Sequence, residues 1–157
     1  MVSSFVRQAR SALEIDTVRT LFLEYARSLD FDLCFQGFDK ELAELPGDYA
    51  APEGRLLLAE ADGEARGCVA FRRHRDGICE MKRLYLRPAF RGSGLGRVLA
   101  EAAIAEARSI GYGRMRLDTV GASMQNAVAL YKLLGFKEIA PYRLNPMPSA
   151  TYLELKL

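Results

Sequence analysis

The stretch Tyr85–Arg108, YLRPAFRGSGLGRVLAEAAIAEAR, constrains the fold more than any other. An apolar run ends at a proline, three alternating glycines follow at 92, 94 and 96, and an alanine-rich helical pattern begins at once. Glycine is costly in conformational entropy, so three of them at a helix start call for a special backbone path. A helix N-terminus exposes unpaired N–H groups and carries about half a positive charge. Glycines there let the backbone curl into a nest of donors suited to phosphate. Arg91 and Arg97 flank the turn with permanent charge that can pair bidentately with phosphate oxygens. A tight strand-to-helix turn alone would need fewer glycines and no arginines.

The surrounding elements predict a mixed sheet. Ile15, Val18, Leu21, Phe22, Tyr25 and Leu29 recur at helical spacing across 14–30. A loop with a short helix around 40–45 follows. RLLLAEA, EARGCVAFRR and ICEMKRLYLRP are strand-like and separated by Asp62-Gly63 and Asp76-Gly77, two hairpin signals. After the glycines, Leu95, Leu99, Ala102, Ala103 and Ile110 continue a helix to Gly111. RMRLDTV reads as a strand, SMQNAVALYKLLG as a helix, and FKEIAPY and ATYLELKL as two strands, the last closing the sheet. The class is α/β (α+β): a mixed, mostly antiparallel sheet with helices on both faces. At 157 residues, without linker or repeat, residues 1–157 are expected to form a single domain.

Bulk properties exclude several functions. The apolar runs are too short to cross a bilayer and the first residues lack a secretion-signal layout, so no membrane partner and a cytoplasmic setting are expected. The net charge of +2 does not suit nucleic acid, although 17 arginines against five lysines, many between Arg66 and Arg116, suit a local anion. Cys34, Cys68 and Cys79 form no CxxC pair, and with His74 the only histidine, neither a metal site nor a Ser-His-Asp triad is expected. His74, between Arg73 and Arg75, reads as a solvated loop residue. The P-loop pattern is absent, and Arg97 stands where a GxGxxG motif would need its last glycine.

The segment Arg91-Gly92-Ser93-Gly94-Leu95-Gly96 resembles the Q/R-x-x-G-x-G/A signature of the GNAT N-acetyltransferase superfamily. The preceding LYLRP resembles the family's strand end, and NAVALYKLLGF, 126–136, resembles a second block that runs through a tyrosine to Gly-Phe. The resemblance covers the chain from about Arg55 onward. It implies a GNAT fold that binds acetyl-CoA as co-substrate, with the diphosphate on the loop from Arg91 to Arg97. It also implies that the pantetheine arm lies along Leu84, Tyr85 and Leu86, with Asp118 and Thr119 on a strand that splays away. Homodimers are frequent among relatives.

By the same resemblance Tyr131 protonates the departing thiolate; the plain alternative is a core aromatic. Glu80 takes the position of a general base in some relatives, against the alternative of pairing with Lys82 or Arg83 on a wet face. Asn126 touches the coenzyme near its arm or caps its helix. Phe35, Phe38 and Tyr142 wall an acceptor pocket or seal the core, and Arg143 is placed to hold an acceptor carboxylate if it faces the cleft. The implied activity is acetyl transfer to a primary amine by direct attack. The acceptor is read as a small metabolite or amino-acid-like amine rather than a protein. The alternative is a non-catalytic acyl-CoA sensor.

Overall fold

The computed structural model describes residues 6–29, 33, 37–120, 125–143 and 150–157, with backbone alone for Gln125 and Asn126. The first helix, α1 (Ala12–Ser28), begins two residues before the apolar period suggests. The cause is a capping box: the Glu14 N–H donates to Ser11 Oγ at 3.1 Å, and the Ser11 N–H donates back to Glu14 Oε1 at 3.1 Å. Replacing Ser11 with alanine is expected to cost about 1 kcal/mol in urea unfolding. The Glu14 carboxylate also accepts from the Arg10 N–H and pairs with Arg7, and these bonds hold its pKa down to about 2. This contribution to stability is complete above the unfolded carboxylate value, about 4.3, and is lost as pH falls toward 2. Glu14→Gln should flatten the stability-against-pH curve across that window.

A three-residue strand, β1 (Val6–Gln8), precedes α1 and pairs with β2 (Arg55–Ala61); it is too short to carry a period and was not expected. Helix α2 (Phe38–Glu44) starts at Gly37, whose φ is 69°. Strands β2, β3 (Glu64–Arg75) and β4 (Ile78–Leu86) form the expected meander. Asp62 and Gly63 turn the first hairpin with φ of 54° and 73°. Helix α3 (Leu95–Ile110) crosses over to β5 (Arg114–Val120), which lies parallel to β4. Helix α4 (Gln125–Leu133), β6 (Lys137–Glu138) and β7 (Ala150–Lys156) complete the order β1-β2-β3-β4-β5-β7-β6. The last strand does not close the sheet as expected. It inserts between β5 and β6, leaving the two-residue β6 at the edge.

Alternation along the strands builds two cores. Leu57, Val69, Phe71, Met81, Met115 and Leu153 point toward α3 and α4. Leu56, Leu58, Cys68, Ala70 and Tyr85 point toward α1 and α2, where Val18, Leu21 and Phe22 are fully buried. Gly67 keeps β3 close to β4 beneath α3: a Cβ there would stand 2.5 Å from the Tyr85 carbonyl oxygen and 2.7 Å from Leu86 Cδ2.

Candidate active site

The β4–β5 ladder pairs only 78–80 with 114–116 and ends at Glu80 and Arg116. Strand β5 keeps its pairing to β7 as far as Val120, so it follows β7 away from β4. On its other side β4 shifts register against β3 between Cys68 and Ala70, and Arg83 takes a left-handed φ of 62°. That conformation costs a non-glycine residue about 1–2 kcal/mol. It is held by the Arg83 guanidinium, 3% exposed, which donates to Glu41 at 2.9 and 3.0 Å and lies over the Phe38 ring. The result is a slit through the sheet, lined by residues 81–84 and 117–120 with Tyr25, Leu33, Ala127 and Tyr131.

A larger cleft of about 430 Å³ runs along the same strand. It brings Leu84, Tyr85, Leu86, Arg91, Gly92 and Gly96 together with Leu29 and Leu130. At its end a 3-10 turn, Pro88–Phe90, leads into Gly92 and Gly94 with φ of 80° and 85°. A Cβ on either glycine would meet nothing within 4 Å, so their requirement is the backbone angle rather than room within the protein. The first backbone bond of α3 runs from the Val98 N–H to the Gly94 carbonyl, and the amides of residues 92–97 have no protein acceptor among the described residues. No acidic residue occupies the first turn of α3. Leu95 is buried in the core, while Ser93 Oγ donates to the Phe90 carbonyl at 2.5 Å. Arg91 Nε donates to the Leu86 carbonyl at 3.1 Å, and Arg97 pairs with Glu101 on the helix surface.

Tyr131 reaches the slit from α4, almost buried, with its ring against Phe136. Its hydroxyl makes no hydrogen bond among the described residues, and burial raises its pKa so that the phenol stays protonated. Thr119 Oγ1, singled out in the sequence only as a strand end, is buried in the slit without a hydrogen-bond partner among the described residues. Asn126 lies in α4, but its side chain, like Cys34 and Phe35, is outside the described residues.

Glu80 does not lie on a wet face. It is 0% exposed, as a buried base would be, but it sits inside an ionic cluster. Arg72 Nη2 donates to Oε1 at 3.2 Å, the Tyr142 hydroxyl donates to Oε2 at 2.8 Å, Arg143 pairs with Oε2, and Lys82 Nζ stands 4.0 Å away. Arg143 thus faces inward. His74 is not simply solvated: its ring lies 5.0 Å from that of Tyr142, and desolvation with the surrounding arginines lowers its pKa. Phe38 is buried in the core beside α1, so it seals that core. Lys82, which sequence reasoning noted only as a partner for Glu80, is a buried lysine in the wall of the slit. An inward lysine two residues after an inward glutamate was the signal.

Residues 16–136 match the acetyltransferase (GNAT) family. The chain belongs to that family. It is an acetyl-CoA-dependent N-acetyltransferase, as the glycine loop and the Tyr131 block implied. It is 41% identical, over 92% of its length and 89% of the relative's, to an uncharacterised N-acetyltransferase of Schizosaccharomyces pombe. An acetyltransferase from Streptococcus agalactiae shares the fold with a TM-score of 0.78 at 20% identity, covering 97% of both chains. The Salmonella typhimurium protein YncA, solved with its cofactor acetyl-CoA, superposes with a TM-score of 0.64 at 22% identity, covering 96% of this chain and 92% of its own. Among the described residues no cluster suits a metal ion, and no helix is long and apolar enough to cross a membrane.

Proposed function

We propose that this GNAT enzyme acetylates the primary amine of a small, amino-acid-like acceptor by direct attack on bound acetyl-CoA. The observation that carries the reading is the slit, because it joins two differently built faces of one sheet. On the α3–α4 face, the amides of residues 92–97 with Arg91 and Arg97 suit a diphosphate. The free edge of β4 at Leu84, Tyr85 and Leu86 suits the pantetheine arm as an added strand, near Asn126. Tyr131 donates its phenolic proton to the departing thiolate. On the α1–α2 face, Arg72, Arg143 and Tyr142 gather around Glu80, a cationic setting that suits an acceptor carboxylate.

Direct attack is favoured because the cysteines among the described residues, Cys68 and Cys79, are buried with thiols raised by desolvation, and neither lines the slit. The single continuous sheet supports residues 1–157 as one catalytic domain. A cytoplasmic setting is part of the same proposal. Acetyl-CoA incubated with the protein and a panel of amino acids, diamines and peptide N-termini should release free thiol, fastest with the small carboxylate-bearing amines. Failure of every amine to raise thiol release above background would overturn the reading, and preference for peptides would overturn the acceptor class.

A further inference from the structure

At neutral pH an aliphatic amine arrives as an ammonium ion and must shed a proton before its lone pair can attack. Glu80 is badly placed to take it, since it is fully enclosed and both its oxygens are engaged by Arg72, Tyr142 and Arg143. Lys82 lies two residues further along β4 and on the same face, for Ala70 pairs with Lys82 and Arg72 with Glu80. Its side chain is 4% exposed and lines the slit together with Asp118, Thr119 and Tyr131. Strand alternation puts Lys82 on the α1–α2 face, whereas Tyr131 packs into the core on the α3–α4 face. The two side chains therefore approach the slit from opposite sides of the sheet.

We propose that Lys82 is the proton acceptor for the incoming amine. The inference rests on the reading that thioester and amine meet in this slit. Neutral Nζ takes one proton from the acceptor ammonium. The freed nitrogen lone pair forms the C–N bond to the acetyl carbon as the C–S bond breaks. Tyr131 gives its phenolic proton to the thiolate, the surplus proton on the new amide nitrogen restores the phenol, and Lys82 returns its proton to solvent. Charged groups facing Lys82 among the described residues include Arg72 from β3, Glu80 and Arg83 from β4, Asp118 from β5 and Glu41 from α2. Tyr25 of α1 and Tyr131 of α4 share the slit wall. Burial, followed by the charge of Arg83, pushes the ammonium pKa down to about 7 against the opposing Asp118 and Glu41. The neutral, proton-accepting form accordingly gains population as pH rises through about 7.

Two measurements test this. In the CoA complex of 15N-lysine-labelled protein, the signal missing from Lys82→Arg should titrate near 7; titration in the ordinary lysine range would overturn the inference. With acetyl-CoA and an amine that the panel identifies, Lys82→Met should lower kcat/KM about 100-fold at pH 7. It should also abolish the rise across that pH, while CoA affinity and Tm stay near wild type. The wild-type rise should stay in place for a second acceptor of different basicity. A Lys82→Met enzyme that keeps the rise at reduced rate would give Lys82 a structural role and overturn the proposal. A wild type that turns over no amine would overturn both this inference and the functional reading. An active wild type with an unaffected variant would overturn this one alone.

Discussion

Replacing Tyr131 with phenylalanine should lower kcat by about 10²- to 10³-fold while leaving the Kd for CoA within about twofold. The substitution removes one oxygen from a nearly buried ring and keeps the packing against Phe136. Because the hydroxyl makes no hydrogen bond among the described residues, its loss leaves no protein donor or acceptor stranded, and Tm should hardly move. A reduced kcat at constant affinity is the signature of a group used in the transition state alone. Desolvation keeps the phenol protonated to higher pH than usual, so the wild-type rate should persist beyond the ordinary tyrosine range before it falls. An unchanged kcat would reduce Tyr131 to a core aromatic. A protein that binds CoA but shows no turnover with or without the hydroxyl would be a sensor.

Truncating Glu41 to alanine should destabilise the fold by about 3–5 kcal/mol in urea unfolding, as expected for removing one partner of a buried ion pair. Its carboxylate takes two hydrogen bonds from Arg83, and both side chains are largely enclosed. The pair spans α2 and β4, and Arg83 is the residue held left-handed where β4 leaves register with β3. Glu41→Ala should therefore also weaken CoA affinity, since β4 carries the edge at Leu84–Leu86. A double variant, Glu41→Met with Arg83→Met, should recover part of the stability, because two apolar side chains leave no buried charge behind. A loss below 1 kcal/mol for Glu41→Ala would show that the pair does not anchor the bulge.

The parts of the fold governed by local chemistry were legible in the chain. Apolar spacing marked α1, α3 and α4, Asp-Gly pairs marked both hairpins, and the glycines at 92, 94 and 96 marked the start of α3. The Ser11–Glu14 capping box is equally legible, and it sets the start of α1 ahead of the apolar period. Three-residue β1 carries no period to detect, whereas FKEIAPY marked β6 and overran it, since only Lys137 and Glu138 form the strand. The insertion of β7 between β5 and β6 is a long-range pairing that no local pattern encodes. The same limit governs the site. Glu80 owes its surroundings to Arg72, Tyr142 and Arg143, of which two lie more than sixty positions away. The left-handed Arg83 and the clash that forbids a Cβ at Gly67 likewise arise only when β3 and β4 meet.

Among the described residues both margins of the sheet are very short, three residues in β1 and two in β6. Each leaves few unpaired backbone groups to template a strand from another molecule, which is how natural sheets guard against cross-β growth. A broad seven-stranded surface thus gains protection from fibrillar association through its own stubby borders.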